Sequence, residues 1–315
     1  MAMTNDDSEQ FPGTTKQQDA RTSISAIWDS LFRLPPPLKR IFDQTPLVTY
    51  PENAAPLRSG KIERRRNALY IFTTDEAAYR GQPSFNPSCL KWQAFLRFEG
   101  LEFVTVPSSN HASPSGSLPF LLPTSDAKKG RGAPVVGGKL KRWVAVQQKE
   151  KVKSKEVQED VRYEAYASLV DHVIRRAWLY QLYLDSANYP LLHRLYIAPC
   201  SSNSFVQLAM AHQLHTSASA EIIKSNSSSS PSNTIDEDEI FRGAEEALAA
   251  LAELLGDEQW FFDQDKPGLF DAGLYAYTEL LLDNDFGWAE NRLGGMLRSH
   301  AGIVKHRETI REMYF

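Results

Sequence analysis

The chain has 315 residues, 42% of them hydrophobic, enough for one large or two ordinary domains with a full core. Its formal charge of -4 and pI near 6.0 exclude a general phosphate-tracking surface, so no nucleic-acid partner is expected. Cys89 and Cys200 are too few for a disulfide framework and lack metal-site spacing, which fits a reducing, cytosol-facing compartment.

Residues 1–22 are polar and predict a disordered tail. Asp6, Asp7 and Glu9 with no apolar stretch resemble neither a secretory signal nor an Arg-rich transit peptide. Ile24, Ile27, Trp28, Leu31 and Phe32 then recur at helical spacing until Pro35, Pro36 and Pro37 stop the helix. Such a helix either docks on the main body or anchors to a membrane surface or partner. No apolar run approaches the roughly 18 to 20 residues of a membrane span, so any membrane contact is expected to be peripheral.

The first globular unit is expected over 67–148, after an extension covering 1–66. Ala68 to Thr73 reads as a buried strand, and a long loop is expected from Thr74 to Phe85. Asn86 and Pro87 open a helix as cap and first helical residue, and Leu90, Ala94, Phe95 and Phe98 give it an apolar face up to Gly100. Leu101 to Val106 forms a second strand. Leu118, Pro119, Phe120, Leu121 and Leu122 form a third after a Ser/Pro/Gly-rich loop, completing a βαβ unit with one further strand.

Over 149–315 the pattern becomes helical. From Val161 to Asp185 the apolar residues Tyr163, Tyr166, Val170, Val173, Ala177, Tyr180 and Leu184 fall three and four apart. Further helices are predicted at Phe205 to His215, Ile240 to Leu255, Ala272 to Leu282, Glu290 to Ser299 and Ile303 to Met313. Residues 216–236, Ser/Asn-rich and running into Asp236, Glu237, Asp238 and Glu239, are expected to form a disordered surface loop. Lys128, Lys129, Arg131, Lys139, Lys141, Arg142, Lys149, Lys151, Lys153 and Lys155 make one basic cluster, either a solvated face or a surface for anionic lipid or an acidic partner. His172, His193, His212 and His215 show no metal-ligand spacing.

An α/β unit followed by an all-helical one, with Asn86-Pro87-Ser88-Cys89 opening the first helix and Ser117-Leu118-Pro119-Phe120 before the third strand, resembles the glutathione transferases. That likeness implies an N-terminal thioredoxin-like domain with a cis Pro119, and a C-terminal helical domain in which Asp271 caps a helix. Gly268 stands where the family's capping Ser or Thr would be, so that cap is expected to be half present. Within the superfamily the chain most resembles the metaxins, closest to the small fungal metaxin-like subunit of the mitochondrial sorting and assembly machinery. The residues that carry this are Pro35 to Pro51, Cys89-Leu90 through Gly100-Leu101, Ser113 to Leu121, and Tyr163-Glu164-Ala165-Tyr166 through Arg175-Arg176-Ala177-Trp178 to Tyr189.

The resemblance locates two chemical absences. A transferase activates the glutathione thiol with a Ser or Tyr hydroxyl, or uses a Cys, and the matching position here is Asn86. The family's Glu/Gln-Ser pair that holds the γ-glutamyl group at a helix N-terminus is replaced by Gly137-Gly138. Losing two charged hydrogen-bond partners at ~1.5 to 3 kcal/mol each weakens binding on the order of a hundredfold or more. No cofactor and no catalytic residue are therefore expected.

The metaxin likeness implies a non-enzymatic, peripheral subunit on the cytosolic face of the mitochondrial outer membrane. Its implied partners are a β-barrel core subunit, a second metaxin-like subunit and β-barrel precursors. The stretch up to Phe315 has no hydrophobic tail, so anchoring is expected to depend on those partners. The rival reading is a divergent glutathione S-transferase using Cys89, in the first turn of its helix, or Tyr70, in the first strand. Core packing is the competing role for both.

Overall fold

The apolar run after Arg66 becomes strand β1 (Asn67–Ile71), one of the two inner strands of the first domain's sheet. The computed structural model describes residues 66–124, 133–151, 162–226 and 235–315. The expected tail, the amphipathic helix at 24–32 and the triple proline lie outside the described residues.

Strands β2 (Phe103–Pro107), β3 (Phe120–Leu122) and β4 (Val135–Val136) complete a mixed sheet of order β2-β1-β3-β4. The helix between β1 and β2 makes their pairing parallel, with Leu69 opposite Thr105, as a crossover requires. β3 returns antiparallel with Leu69 opposite Leu121, and β4 pairs antiparallel with it through Phe120 and Val136. At two residues, β4 is too short to show a period in sequence.

The segment expected as a loop from Thr74 to Phe85 contains helix α1 (Asp75–Arg80). Its cap is local: the Thr74 side chain accepts from the Ala77 N–H, and Gly81 ends the helix at φ 67°. It buries no residue, so no apolar period betrayed it. Helix α2 (Pro87–Phe98) starts where Asn86 and Pro87 place it and buries Cys89, Leu90, Ala94, Phe95, Leu96 and Phe98. Helix α3 (Lys139–Lys151) follows the Gly137-Gly138 turn.

The helical domain opens on one run, 163–184, in which α4 (Tyr163–Ser168) and α5 (Arg175–Leu179) alternate with π-helical turns at Leu169–Ile174 and Tyr180–Leu184. Each π turn advances the phase, so the buried face is Val170, Ile174, Ala177, Trp178 and Leu182. The expected Tyr163, Tyr166, Val173 and Tyr180 are only half-buried. A short helix α6 (Tyr189–Leu192) passes into another π turn, His193–Ile197. Helix α7 spans Ser204–Asn226, so residues 216–226 are helical rather than loop. The reason is Ala218 and Ile222, one turn apart and buried, an apolar seam too sparse to stand out among serines. Residues 227–234 of that expected loop lie outside the described residues.

Helices α8 (Glu237–Leu255), α9 (Leu269–Leu282), α10 (Arg292–Arg298) and α11 (Ala301–Tyr314) finish the domain. Twelve of the fourteen α9 residues are buried, which makes it the core helix that both domains pack against. Its one buried carboxylate in mid-helix, Glu279, pairs with Arg307 at 2.7 Å and Arg311 at 2.6 Å on α11. A second polar bracket closes the far end. Asn188 accepts from the Ala289 and Glu290 N–H groups and donates to the Gln181 and Glu290 carbonyls, while Gln181 donates to Asn291 and accepts from the Leu293 N–H. Among the described residues no helix is long and apolar enough to cross a membrane.

Candidate functional site

The start of α2 is held by groups that satisfy one another. Asn86 Oδ1 accepts from the Cys89 N–H at 3.2 Å, capping the helix, and Asn86 Nδ2 donates to the Tyr196 hydroxyl at 3.1 Å. Just before it, buried Ser84 donates from Oγ to the Phe72 carbonyl at 2.6 Å and accepts from the Asn86 N–H at 3.2 Å. The Ser84 N–H in turn donates to Gln93 Oε1 at 2.8 Å. The side chains of Ser84, Asn86 and Gln93 thus engage one another or nearby backbone.

Aromatic rings fill the space above it. Tyr196 packs edge-on to Phe72 at 5.3 Å and to Phe85 at 5.4 Å, with Tyr183 6.1 Å away. Burial pushes the Tyr196 hydroxyl well above its ordinary pKa, so it is a neutral donor and acceptor at physiological pH.

Cys89 lies beneath this layer with no exposed surface. Burial raises its thiol to about 12, only partly opposed by hydrogen bonds from the Phe72 backbone and Ser84. No thiolate forms there near neutrality. Tyr70 is half-buried in β1 and stacks on its cross-strand neighbour Phe120, with centroids 4.4 Å apart and planes 9° from parallel. Its ring is part of the sheet's packing.

The Gly137-Gly138 turn joins β4 to α3. Gly137 has φ 36°, its N–H reaches the Pro119 carbonyl at 3.5 Å, and a Cβ at either glycine would meet nothing within 4 Å. The first turn of α3 thus follows two residues that carry no side chain, with the exposed Lys139 next in line. Pro119 is buried and follows a cis Leu118 bond. Its approach is braced by Asn110, which accepts from the Leu118 N–H at 3.0 Å, and by Ser113, which donates to the Ser117 carbonyl at 2.6 Å.

Asp271 is buried in the first turn of α9. Oδ2 accepts from the Gly268 N–H at 2.8 Å, while Oδ1 accepts from the Phe261 N–H at 3.1 Å and meets His306 Nε2 at 2.9 Å. The reciprocal half of the cap is missing, because Gly268 has no side chain. Asp271 is thus a structural cap of α9, while Pro87 opens the α2 turn as its first helical residue.

The structure thus joins Asn86 to Cys89 and Pro119 to Gly137, and sequence reasoning did not foresee Ser84, Gln93 or Tyr196. Ser84 and Gln93 carry no local signature. Tyr196 is 110 residues from Asn86 and falls in a stretch where the sequence predicts no element. Of the basic cluster, Lys139, Lys141 and Arg142 are exposed at the start of α3, and the remaining side chains lie outside the described residues. Among the described residues no group of three His, Cys, Asp or Glu side chains is placed to hold a metal ion.

Two family models match the chain. Residues 87–188 match the glutathione S-transferase N-terminal domain, and residues 244–310 match the glutathione S-transferase C-terminal domain. Solved structures of similar shape include a β-etherase from Sphingobium sp. strain SYK-6, at 17% identity and TM-score 0.44, covering 78% of this chain and 95% of that one. A glutathione transferase from Phanerochaete chrysosporium is 13% identical with TM-score 0.44, over 76% of this chain and 97% of that one. A glutathione S-transferase of Ceriporiopsis subvermispora in complex with glutathione is 12% identical with TM-score 0.44, over 76% and 97%. No curated protein matches the sequence.

Proposed function

The chain belongs to the glutathione-transferase-like superfamily, and from that premise we propose that it is a non-enzymatic adaptor of the metaxin type. In this reading it is a peripheral subunit of the mitochondrial sorting and assembly machinery, on the cytosolic face of the outer membrane. A β-barrel core subunit and a second metaxin-like subunit hold it there, and it takes part in receiving β-barrel precursors.

The observation that carries the non-enzymatic half is the Asn86 amide, whose two ends are engaged, one on the helix cap and one on Tyr196. Thiol activation needs a donor turned toward the substrate sulfur. The buried Cys89 thiol and the packed Tyr70 ring support the same reading. The place and the partners rest on the metaxin resemblance of the sequence.

Two measurements test it. Affinity purification of the full chain from detergent-solubilised mitochondria is expected to recover a membrane β-barrel protein; recovery without one overturns the adaptor. Passage over immobilised glutathione is expected to give no retention and no thiol conjugation. Retention with measurable conjugation would replace the adaptor by the divergent transferase.

A further inference from the structure

Large apolar side chains stand exposed at the start of α7, where Phe205, Val206 and Leu208 fall within four positions of one another. Phe205 is 85% exposed and Leu208 63%. With Ala209 and His212, also exposed, they occupy positions i, i+3, i+4 and i+7, which is one face of a helix, and Val206 stands at its edge.

The local sequence holds that face outward. Asn203 caps the helix, its Oδ1 accepting from the Phe205 N–H at 2.9 Å. Gln207, on the opposite side of the first turn, donates to the Ser201 carbonyl at 2.7 Å and meets His193 Nε2 at 3.3 Å. Half-buried Ala211 and Leu214, then buried Ala218 and Ile222, turn the other face of α7 onto α5 and the π turns Tyr180–Leu184 and His193–Ile197.

Two properties of the exposed face select its occupant. The first is charge. No Asp, Glu, Lys or Arg occurs from Leu195 to Ala220, in a chain in which 23% of residues are one of these, and Tyr180–Leu184 beneath carries none either. A partner that docks through ion pairs finds no pairing group here, whereas a zwitterionic surface requires none. The second is size. A stable protein interface takes about 20–30 residues a side, and this face consists of Phe205, Val206, Leu208, Ala209 and His212. Interfacial helices lay such an apolar face about 5–10 Å into the headgroup and acyl boundary, a depth set by side chains rather than by a span.

We propose that the N-terminal half of α7 is a lipid-contact face, which inserts Phe205, Val206 and Leu208 into the interfacial zone of a bilayer. Because the face is uncharged, burial of apolar surface drives the contact and salt leaves it intact. This goes beyond the adaptor reading: the face shares no residue with the α2 turn and needs no partner subunit.

The test floats the full chain with phosphatidylcholine vesicles at low and at high salt. The chain is expected to float with the vesicles equally in both. The double variant Phe205→Gln, Leu208→Gln keeps good helix formers and is expected to bind at least about tenfold more weakly. Tyr79→Gln, which removes another exposed ring on α1, is expected to bind as the wild type does. Circular dichroism verifies that the variants keep their helices. Absence of flotation, flotation lost at high salt, unchanged binding of the double variant, or an equal loss in Tyr79→Gln overturns the lipid face. Sedimentation velocity without lipid covers the other occupant: a dimer that the double variant dissolves assigns the face to a second copy and overturns the proposal. A failed flotation leaves the recovery of a β-barrel protein, on which the adaptor stands, as a separate result.

Discussion

At Asn86 one amide serves both domains, capping α2 with its oxygen and tying Tyr196 with its nitrogen. Asn86→Ala removes both bonds and should destabilise the protein by about 1–3 kcal/mol in urea unfolding. Asn86→Ser keeps a cap oxygen and should lose only about 1 kcal/mol. The two cysteines differ as sharply. Cys200 is exposed and Cys89 is buried with its thiol near 12, so a disulfide-exchange reagent should titrate one thiol in the folded chain and both after unfolding. Fast reaction of both in the folded chain would contradict the burial. The cap at Asn86 was legible because Asn followed by Pro is a local helix-start signal. Its second partner was not, because nothing local marks Tyr196 as facing it.

At the scale of elements, α9 sets the energetics. Glu279 lies inside it, held by Arg307 and Arg311, so Glu279→Ala strands two arginines beside a core helix and should cost about 3–5 kcal/mol. Burial raises the Glu279 carboxyl above its ordinary 4.5, the two arginines pulling it back only in part. The folded state therefore binds this proton more tightly than the unfolded one. The stability it confers is complete below the unfolded pKa and is lost as pH rises through the folded one. The stability of wild type minus that of Glu279→Gln should accordingly fall as pH rises from about 4.5 and then level off, which urea midpoints across that range would register. At the other end of the domain, Asn188→Ala orphans the Ala289 and Glu290 N–H groups and should cost about 3 kcal/mol or more. Helices with dense apolar spacing, such as α8 and α11, were readable in sequence to within a few residues. Helix α1, which buries nothing, and the serine-rich end of α7 were not, since their stability comes from caps and from a thin seam.

For the whole molecule, the order of an α/β unit before a helical one was legible because periodicity changes type once, near residue 149. The sheet's fourth strand and the contacts across the chain were not, being set by pairs far apart in sequence. Those contacts are numerous in kind. Lys91 meets Asp171, Arg97 donates to the carbonyls of Gly81 and Tyr314 and lies 4.1 Å over the Phe315 ring, and Lys266 reaches Glu99 at 2.8 Å. With α2 packed on α9, the two domains should unfold as one. Tryptophan fluorescence, reporting Trp92 and Trp143 in one domain and Trp178, Trp260 and Trp288 in the other, should give the same urea midpoint as far-UV circular dichroism. Two separated transitions would show the domains to be independent.

The turn at Gly137 also bears on whether a side-chain grip could be built at the start of α3. Space exists at both glycines, but any side chain at Gly137 enters a left-handed backbone and is strained by about 1–2 kcal/mol before it touches a ligand. Gly138 carries no such penalty, yet a hydroxyl there alone rebuilds only half of the pair. Building a side-chain grip onto this turn therefore passes, at Gly137, through a step that lowers stability before any ligand contact is made.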